Sequence, residues 1–303
     1  MAASRTPSSH SARVAVVLLL ALLLAGGAKA APRRVVSLVP SLTETVAALG
    51  AADRLVGRSR YCSHPAAVER LPAVGGYLDP SWEAVVALRP DLLLLTPESR
   101  EARQRAEALG IPVAVIAQDR LAEVLAGMEE LGRLLGLAER GRQLADSLRR
   151  GLDDLARGRA DQGPPARVLL VADRAPEPGP PRDLWVIGRG SWLADLLEQL
   201  GARNAAEGLS PAQPLLSREG VARLDPDWIL ELWPAPPPGR CLSALAADWR
   251  AWPELRAVRA GQVRALGEDC LILPGPRLLE AARMLASLLA GGPDAPLPGA
   301  GKP

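Results

Sequence analysis

The stretch Ser81-Trp-Glu-Ala-Val-Val-Ala-Leu-Arg-Pro-Asp-Leu-Leu-Leu94 is written twice in this chain, and its second copy decides the fold. Residues 217–230 read Ser-Arg-Glu-Gly-Val-Ala-Arg-Leu-Asp-Pro-Asp-Trp-Ile-Leu, with Ser81/Ser217, Glu83/Glu219, Val85/Val221, Leu88/Leu224, Pro90/Pro226, Asp91/Asp227 and Leu94/Leu230 identical. Each copy predicts a short helix with serine as its N-cap and glutamate in its first turn, where the helix dipole favours an anion. The X-Pro step ends the helix, and an apolar run of strand length follows. Two copies 136 residues apart in a chain of 303 imply two similar halves with a glutamate at corresponding points.

Outward from the first copy, strands and helices alternate. Arg33 to Val39 predicts a buried strand, Leu42 to Leu49 a helix stopped by Gly50, and Arg54 to Gly57 a second short strand. A loop carries Tyr61-Cys-Ser-His-Pro65, and Leu71 to Pro80 leads into the repeat. After it come a strand over Leu92–Leu95, a helix over Arg100–Leu109 and a strand over Pro112–Ile116. Such alternation predicts a mostly parallel sheet covered on both faces.

The alternation then stops. Leu121, Val124, Leu125, Met128, Leu131, Leu134 and Leu135 recur at helical spacing up to Gly136, and a second helical run covers Ala138 to Gly158. At 1.5 Å per residue that run would reach ~30 Å. An all-helical segment between two α/β halves reads as a stiff spacer. The pattern restarts with strands at Arg167–Ala172 and Leu184–Ile187, a helix from Ser191 to Leu200, the second repeat copy, and helical turns around Leu242–Trp249. Apolar runs at Val263–Leu266 and Leu271–Leu273 precede a final helix over Arg277–Leu289. The expected organisation is residues 31–118 for a first lobe, 119–163 for a helical connector, 164–290 for a second lobe, and a Gly/Pro-rich disordered tail over 291–303. Two lobes on a rigid spacer place a ligand cleft between the carboxyl ends of their strands.

Residues 1–30 read as an export signal. Arg5 and Arg13 precede the twelve-residue apolar run Val14–Ala25, and Ala28-Lys-Ala30 offers small residues for cleavage after Ala30. A membrane span would need ~20 apolar residues. Of the 36 Lys and Arg, three (Arg5, Arg13, Lys29) leave with the signal, so 33 basic residues face 34 acidic ones. That near-balance gives no footprint for nucleic acid. The expectation is a soluble, monomeric protein in the periplasm.

The chemistry-bearing residues are few. Cys62, Cys241 and Cys270 would meet an oxidising compartment, where one disulfide could form and one thiol would remain. A bridge from Cys62 to Cys241 or Cys270 would tie the Tyr61 loop to the second lobe. There is no Phe; the aromatics are seven Trp and two Tyr, each an apolar face with a polar handle. Tyr61 and Tyr77 sit on loops of the first lobe, where a ligand contact accounts for them. Trp185 ends a Pro-rich loop in the second, whereas Trp192, Trp228 and Trp233 read as packing, with Trp233 at a strand end within reach of the cleft. His64, the mature chain's only histidine, is either an axial metal ligand or a satisfied loop residue. No nucleophile elbow, P-loop or full dinucleotide fingerprint occurs, so an α/β enzyme would have to rely on Asp79, Asp269 and His64.

With Val36-Ser-Leu-Val-Pro-Ser-Leu-Thr-Glu44, Leu55-Val-Gly57, Tyr61-Cys-Ser-His-Pro65, Val74-Gly-Gly76, Val86-Ala-Leu-Arg-Pro-Asp-Leu92 and Pro274-Gly-Pro-Arg277 in this order, the chain resembles the exported ABC-importer binding proteins that take up cobalamin, haem and ferric siderophores. Its nearest likeness is to the vitamin B12-binding members, over about residues 33 to 290. The resemblance implies two Rossmann-like α/β lobes joined by a long rigid α-helix, with no catalysis and no resident cofactor. It implies that Glu83 and Glu219 dock into arginine pockets of the permease subunits, and that Tyr61, Tyr77, Trp185 and Asp269 face a corrinoid. Haem, with Tyr61, Tyr77 or His64 on iron, is the first alternative. A ferric siderophore held by Arg58, Arg60 or Arg189 is the second.

Overall fold

The computed structural model describes residues 30–159 and 164–291; residues 1–29, where the export signal was expected, residues 160–163 and residues 292–303 of the expected tail lie outside the described residues. The first lobe carries β1 (Val35–Ser37), α1 (Pro40–Ala48), β2 (Leu55–Arg58), α2 (Trp82–Ala87), β3 (Leu92–Leu95), α3 (Arg100–Ala108) and β4 (Val113–Val115). Its sheet is wholly parallel in the order β2-β1-β3-β4. Strands buried on both faces need continuous apolar runs, and Leu92–Leu95 is buried at every position.

Two helices follow, α4 (Leu121–Leu134) and α5 (Ala138–Arg157). The second lobe contains β5 (Arg167–Asp173), β6 (Leu184–Val186), α6 (Trp192–Gln199), β7 (Arg203–Asn204), β8 (Leu215–Leu216), α7 (Arg218–Leu224), β9 (Trp228–Leu232), α8 (Leu242–Ala247), α9 (Arg256–Arg259), β10 (Val263–Leu266) and α10 (Leu278–Gly291). Its sheet runs β10-β9-β5-β6-β8, with β7 beside β5. β10, β9, β5 and β7 are parallel, whereas β6 lies antiparallel to both β5 and β8. The apolar run Leu271–Leu273 is not a strand; it begins in a 3₁₀ turn, Asp269–Leu271, leading toward α10.

The repeated unit is duplicated atom for atom at its ends. Ser81 Oγ accepts the Ala84 N–H and Ser217 Oγ accepts the Gly220 N–H, each at 3.3 Å, so both short helices are capped alike. Each helix runs out through a residue in the left-handed region, Arg89 (φ 45°) and Asp225 (φ 38°). Asp91 then accepts the N–H groups of Arg33 and Arg34, and Asp227 that of Arg167, all at 2.8 Å. Arg34 and Arg167 return the contact by donating to the last helical carbonyls, of Leu88 and Leu224. The identical aspartates thus stitch the start of one central strand to the next in each lobe.

The helical connector is stiffened by packing into both lobes. Leu121, Val124, Leu125 and Met128 of α4 belong to the second lobe's core, and Leu131 of the same helix belongs to the first lobe's core. Leu135, just past its end, joins Leu131 there. Ala145, Leu148 and Leu152 of α5 are in the second core. The two helices cross where Gly132 meets Gly141: a Cβ on Gly132 would lie 2.8 Å from the Gly141 Cα. Only hydrogen fits there, because the obstacle is backbone. Large leucines on either side of a glycine crossing let one helix pair serve two cores.

Candidate functional site

All four strands of the first sheet, and β5, β9 and β10 of the second, end at the junction of the lobes. The residues that follow them meet there. Ser41 Oγ, after β1, donates to Gln118 Oε1, after β4, at 2.6 Å; Gln118 Nε2 donates to the carbonyl of Pro274 at 2.9 Å. Arg277, just before α10, reaches back across the junction. Its Nε and Nη2 donate to the two oxygens of Glu44 in α1, at 2.9 and 2.6 Å. Its Nη1 and Nη2 donate to Asp269 at 2.5 and 3.0 Å. The Glu44 side chain is 4% exposed, that of Arg277 15% and that of Asp269 40%, so only the last opens widely to solvent. Hydrogen bonding to Arg277 holds the Asp269 carboxyl below its ordinary range against the opposing effect of burial, and the charge of His64 adds to this. The same bonds push Arg277 still higher.

The first-lobe wall is built on a buried polar cluster. Ser59 donates its N–H to Ser37 O, and the Cys62 sulfur lies 3.1 Å from Thr43 Oγ1 and 3.2 Å from Ser59 Oγ. With Cys62 turned inward, Tyr61 beside it turns out and is 56% exposed. Arg60 N–H bonds Gly75 O at 2.7 Å, while the Arg60 guanidinium pairs with Asp79 and stands 5.5 Å over the Tyr61 ring. Gly75 has φ 101°, and a Cβ there would lie 2.7 Å from Asp79 O, so the loop bearing Tyr77 closes only on glycine. Tyr77 (40%) and Leu78 (66%) project from it. His64 is exposed in the loop after β2, near enough to Asp269 for its charge to act there.

The second-lobe wall depends on the reversed strand. β6 pairs Trp185 with Asp173, the last residue of β5, so Trp185 lies at the junction end of the sheet. Leu215 of β8 is its cross-strand partner, and both are exposed. The loop before β6 is pinned by a buried ion network. Arg174 and Glu231 have no exposed side-chain area and are paired; Arg174 also donates to Asp248 and to Leu245 O. Trp233 and Trp249 both donate their indole N–H to Glu231, at 3.2 and 2.8 Å. Arg240 binds Asp248 and the carbonyl of Pro176 within the Pro-rich loop. Beside the junction a cavity of about 560 Å³ is bordered by Pro234, Gly267, Glu268, Asp269, Arg277 and Glu280.

Glu83 and Glu219 stand exposed in the first turns of α2 and α7. Glu219 is held below its ordinary range by a backbone N–H and by Ser217, whose hydroxyl donates to it at 2.8 Å.

A family model for the periplasmic binding proteins matches residues 35–270. The chain belongs to that family. It is similar to an uncharacterized ABC transporter substrate-binding lipoprotein of Bacillus subtilis, 27% identical over 85% of this chain and 80% of the relative. It is 29% identical to the vitamin B12-binding protein of Vibrio cholerae, over 84% of this chain and 88% of that one. The solved periplasmic haem-binding protein of Pseudomonas aeruginosa superposes with a TM-score of 0.69 at 30% identity, covering 88% of this chain and 94% of its own.

Against this binding-protein frame, several sequence readings change. All three cysteines are free thiols, so no bridge ties the Tyr61 loop to the second lobe. Cys62 is buried in the first lobe, Cys270 is buried in the second with burial pushing its thiol up to about 11, and Cys241 is exposed. Trp233 does not reach the cleft: it is buried, with its indole on Glu231. Trp192 and Trp228 are core residues, in keeping with the packing expectation. Arg189 follows β6, and because that strand runs backwards it lies away from the junction. Arg58 is held by the carbonyls of Ser59 and Glu69, both at 3.0 Å. Among the described residues no group of three His, Cys, Asp or Glu could hold a metal, and no helix is long and apolar enough to cross a membrane. Sequence reasoning passed over Leu78, Leu215, Gln118 and the pairing of Glu44 with Arg277. Exposed leucines flanking loop aromatics were a usable signal for the first two; a partner 233 residues away leaves none.

Proposed function

We propose that this protein is exported, loses its signal after Ala30, and captures a corrinoid between its lobes for delivery to an ABC importer permease. The observation that carries this reading is the set of exposed apolar side chains on both walls at one junction: Tyr61, Tyr77 and Leu78 on the first lobe, Trp185 and Leu215 on the second. A large ligand with flat or apolar edges buries such surfaces from both sides. Binding rather than catalysis fits the acids at the site, since Asp79 and Asp269 are both engaged by arginines instead of standing ready for proton transfer. Helices shared by both cores keep the cleft pre-formed, which lowers the ordering cost of capture. Glu83 and Glu219 serve as the docking carboxylates: each is exposed at the same point of the repeated unit, where it can form charge-assisted pairs with permease arginines. The protein works as a monomer at the periplasmic face of the membrane.

Haem is the second reading, favoured by two exposed tyrosines whose phenol oxygens could reach iron and by the similarity to a haem-binding relative. Ferric siderophores are less well served, because Arg58 and Arg60 are already engaged and Arg189 is remote. The test is a titration of the mature protein with cyanocobalamin, haemin and a ferric siderophore, followed by tryptophan quenching and visible spectra. Saturable quenching by cyanocobalamin supports the corrinoid reading; binding of haemin alone, with a new Soret band, overturns it. Docking is tested by Glu83→Arg with Glu219→Arg: uptake by the intact transporter is expected to stop while ligand affinity stays unchanged, and surviving uptake refutes the role.

A further inference from the structure

We propose that the Glu44–Arg277–Asp269 clamp is a specificity element that rejects cargo carrying carboxylates at its edge and accepts cargo carrying amides. This rests on the reading of the junction as the binding cleft. A guanidinium has five N–H groups. Arg277 uses its Nε–H, both Nη2 hydrogens and one Nη1 hydrogen on the two carboxylates, so the cation at the cleft floor is already neutralised. Two carboxylates on one guanidinium leave a net negative charge there. The exposed member is the acidic one, since Asp269 is 40% exposed and Arg277 only 15%. The adjoining cavity adds Glu268, whose Oε2 is buried without a hydrogen-bond partner, and Glu280, against the single further cation Arg283. On the facing wall, Arg60 is paired with Asp79 and Arg58 is turned onto carbonyl oxygens. His64, from the loop after β2, faces Asp269 closely enough for its charge to act on that carboxyl.

The floor therefore offers acceptors. A primary amide at the edge of a ligand can donate to Asp269, whereas a carboxylate at the same place meets the like charges of Asp269, Glu268 and Glu280 against Arg283 alone. The cargo class that follows is a large macrocycle with amide periphery, and the excluded class is the same macrocycle with acid periphery.

The test uses matched ligands on the wild-type protein: cyanocobalamin against its monocarboxylic acids, and haemin against its dimethyl ester, at pH 8 and low salt with tryptophan quenching. The uncharged member of each pair is expected to bind at least about tenfold more tightly, with the gap narrowing as salt is added. Asp269→Asn, and Glu44→Gln with Asp269→Asn, free the guanidinium and are expected to close or reverse the gap while circular dichroism remains that of the wild type. Equal affinity for acid and amide in the wild type overturns the inference and leaves the corrinoid reading standing. If no cobalamin derivative binds but the haemin ester outcompetes haemin, the corrinoid reading falls and the clamp stands. If none of the four ligands binds, both fall.

Discussion

Arg174 is the most consequential side chain in the second lobe that touches no cleft. Its guanidinium has no exposed area and bridges Glu231 and Asp248 while donating to Leu245 O. Replacing it with methionine keeps most of the volume but removes the cation. Asp248 retains Arg240 as a partner, but Glu231 does not: it keeps only the indole N–H groups of Trp233 and Trp249. Breaking a buried ion pair from one side costs about 3–5 kcal/mol, because the surviving charge is left uncompensated. Arg174→Met is therefore expected to lower stability by that amount in urea unfolding. Glu231→Gln in the same background should recover part of it, since the remaining amide is neutral, although its single oxygen accepts from only one of the two indoles that donate to separate oxygens of Glu231. The indoles supply the assay, as their fluorescence reports the network directly. A loss under 1 kcal/mol for Arg174→Met, or additive losses in the double variant, would show that the network is not a coupled unit.

Three further outcomes can be measured. The Asp269 carboxyl titrates below its unfolded range near pH 3.9, so the clamp's contribution is complete above that pH and disappears as pH falls through the folded value. The Tm difference between wild type and Asp269→Asn should be constant above about pH 5 and shrink as pH falls below the ordinary carboxylate range; a difference indifferent to pH would refute the pairing. Gly132→Val places a side chain against the Gly141 backbone and is expected to cost at least about 1–3 kcal/mol, as overpacking does, with Gly141→Val behaving alike; tolerance of either would contradict the close crossing. Thiol titration of the native protein should find one fast-reacting cysteine, Cys241, and two more only after denaturation. Fast loss of all three signals in the folded state would argue against the buried positions of Cys62 and Cys270.

The two-lobe plan was legible because a duplicated unit leaves the same letters twice, and Ser81/Ser217 and Asp91/Asp227 turn out to make the same hydrogen bonds. Buried parallel strands were legible for the same reason that they are stable: Leu92–Leu95 has no polar position to disguise it. The direction of β6 was not, since a three-residue strand carries no signature of its orientation, and that direction alone brings Trp185 to the junction and takes Arg189 away. Periodicity announced α4 and α5 but was silent on what covers them, because an apolar stripe does not say which core it enters. Tyr61 and Tyr77 stood out as aromatics on loops. Arg277 closed the Pro274–Arg277 motif, but nothing gave it a role until Glu44 and Asp269 were seen on either side of it.

That α4 gives its first half to one core and its last turn to the other has a practical consequence for exchanging parts with relatives. Chimaeras that swap a cleft wall between two members of the family will fold only where the crossover respects this shared helix. A crossover before Leu121 sends a foreign Leu131 and Leu135 into the native first core, one just after Leu135 sends the native Leu121–Met128 face into the foreign second core, and one between Met128 and Leu131 makes both mismatches at once. No single seam keeps both cores native, and the worst place to cut is inside this helix; a working chimaera needs a crossover outside α4 together with repacking of whichever face of it is then foreign.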